Sequence, residues 1–209
     1  RGAPGMDVEG FRQILLADCF GKAIKRATRN KLLPAAALYF GDMQFGELPG
    51  RGTDVPTLLI RLFLADAKAR GISAAALFLD VVTAFYWVIR DLLVPLEESD
   101  HAICVLLARL QLTREDWFDL CRQFDSTPAM TAANVPGALA GQVAAALSCT
   151  SFAVPHLPEL AQARAGTRPG DTMGGLLYGF LHSRVIKAVD ARLQDAGLVS
   201  TLCTRGMGF

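Results

Sequence analysis

One carboxylate interrupts an otherwise apolar run, Ala76-Leu77-Phe78-Leu79-Asp80-Val81-Val82-Thr83-Ala84-Phe85-Tyr86-Trp87. A carboxylate is costly to bury unless positive charge offsets it. An Asp ending an aliphatic, β-branched strand therefore suggests a metal ligand or catalytic group at the strand's edge. The plain alternative, of equal weight on its own, is an N-cap for the next helix. A second stretch, Gly166-Thr167-Arg168-Pro169-Gly170-Asp171, leads into an apolar helix as a nucleotide-facing loop would, and this tips the balance toward chemistry.

These residues need elements to hold them. Residues 1–10 read as a lead-in and 11–16 as a short strand. Asp18 is placed to cap a helix to about Leu33 whose Lys22, Lys25, Arg26, Arg29 and Lys31 make one face basic. That face binds nucleic acid or is simply solvated. Residues 34–53 carry turn formers and read as loop or short strand. Asp54, with Pro56 in the first turn, opens a helix with Leu58, Leu59, Leu62, Phe63, Ala65 and Ala69 at helical spacing, ended by Gly71.

Residues 74–82 read as a buried strand, and 84–93 begin a helix that Pro95 stops. Helices are expected over about 99–111, 113–124 and 134–148, the second opened by Thr113 with Glu115 and Asp116 in its first turn. Residues 151–154 and 160–165 have the pattern of a hairpin. A long helix over 172–196 is closed by Gly197, and 198–204 read as a last strand. Strands interspersed with many helices, without βαβ alternation, indicate an α+β fold.

At 209 residues, 52% hydrophobic and 20% charged, the chain can bury a sizeable core and is not expected to be disordered. Charged and helix-breaking residues interrupt its longest apolar runs, so no transmembrane helix and no membrane partner are expected. The five cysteines form no C-x-x-C pair, which argues against a disulfide framework or zinc site and fits a reducing compartment. His101, His156 and His182 lack the H-x-x-x-H spacing of a metal site. A net charge of +1 gives no global attraction to nucleic acid, so local clusters must carry it. The chain starts on Arg1 without a charged-then-apolar leader and reads as a piece of a longer open reading frame or polyprotein. An intracellular location, nucleus or cytoplasm, is as far as these features reach.

Four blocks in order resemble the reverse transcriptase family, nearest its non-LTR retroelement and group II intron branches. Phe11-Arg12-Gln13-Ile14-Leu15-Leu16 is similar to the family's opening "R-x-I-x-L" block. Gln44-Phe45-Gly46 and Gly50-Arg51-Gly52-Thr53 resemble "Q-x-G-F…G-R-x-T". Residues 78–88 resemble "F-L-D-x-x-x-A-F-x-x-V", and 166–177 resemble "G-x-x-Q-G-x-x-x-S-P-L-L-F". The resemblance implies a right-hand polymerase: fingers over about 1–72, then partial palm with inserted fingers helices over about 73–209, helix-rich with a small antiparallel sheet. Its substrates would be an RNA template, a DNA primer and dNTPs.

By the same resemblance Asp80 is a catalytic carboxylate that bridges two Mg²⁺ ions, and Val81 offers a metal its backbone carbonyl. Thr83 and Ala84 would present backbone amides to the triphosphate. Phe85 would sit beneath the sugar, where it excludes a 2′-hydroxyl and argues against an RNA polymerase; an ordinary core phenylalanine is the alternative. Arg12 would neutralise the triphosphate, and Gly170 would let the loop approach the nucleotide without a Cβ. Lys22, Lys25, Arg29 and Arg51 would meet nucleic-acid backbone.

The departures are specific. Pro169 stands where the family has Gln, Gly174-Gly175 replaces Ser-Pro, and Tyr86 stands where the nearest branches often have Asp. No Asp-Asp pair occurs in the chain, so the aromatic-x-Asp-Asp turn that supplies further metal ligands is missing from these residues. One carboxylate bridges two Mg²⁺ ions poorly, so this polypeptide as it stands is not expected to be a competent polymerase. The alternative function is a degenerate, non-catalytic remnant that binds nucleic acid or a partner.

Overall fold

A computed structural model describes residues 18–76, 78–81, 84–86, 88–96, 108, 113–148, 150–152, 158, 161–163, 165–168 and 170–198. Arg12, Thr83, the 11–16 block and most of the expected 99–111 helix and 198–204 strand lie outside them.

The first helix, α1 (Cys19–Tyr39), starts where Asp18 accepts a hydrogen bond from the Gly21 amide at 2.6 Å. It runs six residues past the expected end at Leu33, through Pro34. The proline removes one intrahelical donor, but Pro34 and Asn30 are both exposed, so water can satisfy the freed carbonyl. Continuing the helix buries Ala36, with Phe40 just beyond the end, on the face that already buries Leu32. That apolar gain outweighs the proline penalty.

Helix α2 (Asp54–Ala69) takes Asp54 as its first residue rather than its cap. It ends as expected: Gly71 adopts φ +68° and the Ile72 amide returns to the Ala67 carbonyl at 2.9 Å. Only Ala67 of α2 is buried, while Leu58 and Phe63 of the expected apolar stripe are exposed. A single 3₁₀ turn covers Arg90–Leu92.

Thr113 and Asp116 form a reciprocal capping box at the start of α3 (Arg114–Phe124). A short turn, α4 (Ala129–Ala132), precedes α5 (Gly137–Ser148). The last helix, α6 (Gly174–Asp195), closes at Gly197, which has φ +65°.

The core lies where α1, α5 and α6 meet. Leu32 and Ala36 of α1, Val143 of α5, and Leu176 and Phe180 of α6 are buried together with Leu93 and Met130. Phe40 packs edge-on to Phe180, with centroids 5.2 Å apart and rings at 74°.

The α+β expectation, with its small antiparallel sheet, is corrected. About 60% of the described residues are helical. Extended pairing among them is limited to Ser151–Phe152 against Ala161–Gln162, two residues a side. That is too short to form a layer. The buried strand expected over 74–82 is also corrected. Every described residue of it is exposed and unpaired as a strand, with Phe78 79% and Leu79 83% exposed. Its apolar composition mimics a buried strand, but among the described residues no neighbouring strand supplies a ladder. No helix among the described residues is long and apolar enough to cross a membrane.

Candidate active site

Asp80 lies in an exposed, extended stretch and has no hydrogen-bonded or ionic partner among the described residues. The desolvation cost that singled it out in the sequence is therefore not incurred; what stands there is a solvent-accessible carboxylate. Val81 is 54% exposed, and with Ala84 it lines a groove of ≈ 500 Å³ against Val88, Tyr178 and His182.

After Asp80 the chain turns through residues 84–86 and meets the glycine loop. The Thr167 amide donates to the Phe85 carbonyl at 2.8 Å, and the Gly166 amide donates to the Val88 carbonyl at 2.8 Å. Gly166 is required at this junction. Its φ is +86°, and a Cβ there would lie 2.7 Å from the Phe85 carbonyl oxygen. The Phe85 ring is held against Tyr178 of α6, with centroids 5.3 Å apart and planes at 54°.

Arg90 fastens the junction from within. It is 1% exposed. Its Nε donates to the Gly166 carbonyl at 3.0 Å, its Nη2 to Ala165 at 3.0 Å, and its Nη1 to Leu147 and Ala163 at 2.7 Å each. The Leu147 carbonyl belongs to the last turn of α5, whose free carbonyls and dipole favour a cation. The sequence offered a signal for Arg90, a charge inside an apolar stretch that must find partners, but it reads there only as an interruption.

Gly170 is exposed at φ +87°. Beside it Asp171 receives Lys25 Nζ at 2.6 Å, with the two side chains 7% and 17% exposed, and its other oxygen accepts the Met173 amide at 3.0 Å. Lys25 is thus tied to the glycine loop. Arg29 donates to the Glu47 carbonyl at 2.8 Å and to its carboxylate at 3.4 Å. Arg51 donates to the Gly41 and Gln44 carbonyls at 3.0 and 3.1 Å. Of the four cations expected to meet nucleic acid, Lys22 alone stands exposed with no side-chain partner among the described residues.

Arg168, at φ +59°, donates to the Ala146 carbonyl and the Thr150 hydroxyl. Burial lowers its pKa, and the nearby Asp171 carboxylate opposes that shift. Tyr178 and His182 stack one helical turn apart, with centroids 5.3 Å apart and planes at 18°. Burial raises the Tyr178 pKa and lowers that of His182. The spacing of this pair was visible in the sequence; its place between two clefts was not.

As a Mg²⁺ site, Asp80 offers the hard, accessible oxygen such an ion takes. Among the described residues no group of three His, Cys, Asp or Glu side chains lies together to hold a metal. Arg12 lies outside the described residues. The segment that follows Asp80 and the loop that contains Gly170 are brought together.

No protein family matches the chain, and neither the curated proteins nor the solved structures yield a match.

Proposed function

We propose that this chain is the fingers and partial palm of an RNA-directed DNA polymerase, extending a DNA primer on an RNA template with dNTPs. The observation that carries the reading is the docking of Gly166 and Thr167 onto the Val88 and Phe85 carbonyls. Two blocks about eighty residues apart in sequence, each similar to a nucleotide-binding segment of one family, meet through backbone hydrogen bonds.

In this reading the Asp80 carboxylate and the Val81 carbonyl hold Mg²⁺. When bound, that ion supplies positive charge to the attacking and leaving oxygens. Backbone amides at Thr83 and Ala84 hold the triphosphate, and Arg12 offsets its charge. Phe85, fixed in place by Tyr178, limits the space at C2′ of the sugar. Lys22 offers the template–primer an exposed charge.

A second reading, a non-catalytic remnant that binds nucleic acid, is favoured by the isolation of Asp80 among the described residues. Primer extension separates the two. The full open reading frame that encodes this chain is supplied with an RNA template, a DNA primer, dNTPs and Mg²⁺. Extension that Asp80→Ala abolishes supports the polymerase; binding of the template–primer without extension by the wild type supports the remnant.

A further inference from the structure

The cleft between residues 43–47 and the first half of α6 takes no part in the reading above. It holds ≈ 300 Å³ and is lined by Gln44, Glu47, Tyr178 and His182, with Gly175 and Gly179 between them. Phe85, Tyr178 and His182 form a ladder of three rings with successive centroids 5.3 Å apart, and His182 is its last rung. Burial disfavours the charged form of this imidazole.

The polar lining consists mainly of acceptors. Gln44 is 6% exposed, and its Nε2 donates to the Gly179 carbonyl at 3.0 Å. Among the described residues its Oε1 has no partner, an uncommon state for a buried amide oxygen. The Glu47 carboxylate stands where a side chain on Gly175 would otherwise project. Among the described residues no Lys or Arg lines the cleft, so it does not suit a phosphate. A flat ring to stack on and acceptors at its edge suit a neutral, planar heterocycle that carries N–H donors.

We propose that this cleft takes one unpaired, amine-bearing nucleobase, stacked on His182 at the end of the Phe85–Tyr178–His182 ladder, with Gln44 and Glu47 accepting from its amine. The inference rests on the nucleic-acid reading above. The base belongs either to a single-stranded stretch of template or to a free nucleotide, and the same pocket chemistry serves both.

2-Aminopurine tests this, because it carries the amine and its fluorescence is quenched on stacking. It is placed at one unpaired position of an RNA oligonucleotide and, separately, supplied as the free riboside triphosphate to the 209-residue chain. Saturable quenching of the first identifies a strand base, and of the second a nucleotide. In either case His182→Ala should abolish the quench and weaken binding about 5- to 100-fold, while His182→Phe keeps both. Circular dichroism verifies that the variants are folded. Oligonucleotide binding, seen by anisotropy, without quenching overturns the pocket and leaves the nucleic-acid reading standing. So does quenching that His182→Ala leaves unchanged. An oligonucleotide that does not bind, with no quenching of either probe, overturns both.

Discussion

Arg90 Nε donates to the Gly166 carbonyl at 3.0 Å, joining a residue ten positions after Asp80 to the first glycine of the loop that contains Gly170. Three further carbonyls share the same guanidinium, so one side chain sets the spacing of two segments and the end of α5. Arg90→Met removes the donor from the Gly166, Ala163 and Ala165 carbonyls, while the Leu147 carbonyl keeps the Thr150 hydroxyl, and should cost about 3 kcal/mol. Arg90→Lys should recover part of the loss, since an ammonium cannot reproduce the planar fork. Urea denaturation reads both; a Met variant within about 0.5 kcal/mol of wild type would refute this role.

Gly166 and Gly197 both adopt positive φ, +86° and +65°, yet their surroundings differ. A Cβ at Gly166 meets the Phe85 carbonyl oxygen at 2.7 Å, whereas at Gly197 it meets nothing within 4 Å. Gly197→Ala should therefore cost only the conformational penalty of about 1 kcal/mol. Gly166→Ala should cost clearly more, because backbone must move away from backbone. Equal unfolding midpoints for the two variants would contradict the close approach of loop and turn.

Burial holds the His182 imidazole below its ordinary pKa of 6.5 in the folded chain. The unfolded chain then takes up its proton at higher pH than the folded one does. Stability should fall as pH drops below about 6.5 and continue falling to the depressed folded value, with no contribution above that window. Tyr178 stacks on the ring and Glu47 lines the same cleft. Titrating histidines elsewhere cancel in a comparison with His182→Phe, which should lose less stability than wild type between pH 7.5 and 5.5. Parallel melting curves would show that the imidazole is not desolvated.

Phe85 is half-buried with its ring against Tyr178, so it cannot readily swing away from a ligand. In primer extension by the full open reading frame, Phe85→Ala should relax discrimination against ribonucleotides about tenfold or more. Unchanged selectivity would make Phe85 an ordinary packing residue.

Much of the helical scaffold was legible because its signals are local. Asp18, Gly71, Thr113 with Asp116, and Gly197 each act on neighbours within a turn, and each stands at a helix end. The extension of α1 through Pro34 was not legible, because burial of Ala36 and Phe40 against α6 decides it. The run around Asp80 misled for the opposite reason: apolar composition predicts burial only where a partner element exists, and Leu79 is 83% exposed. At the site, the meeting of Phe85 with Thr167 depends on contacts between distant segments. The partners of Lys25, Arg29 and Arg51 are equally invisible in a basic composition.

In the proposed reaction the side chain at position 80 ligates a metal ion during nucleotide transfer. Single-nucleotide incorporation by Asp80→Cys in the full open reading frame measures this most directly, because a thiolate exchanges a preference for hard Mg²⁺ for softer ions. The Cys variant should be inactive in Mg²⁺ and regain incorporation when Mn²⁺ or Cd²⁺ is added, while Asp80→Ala stays inactive in all three. Incorporation by Asp80→Ala equal to wild type in Mg²⁺ would contradict that ligation.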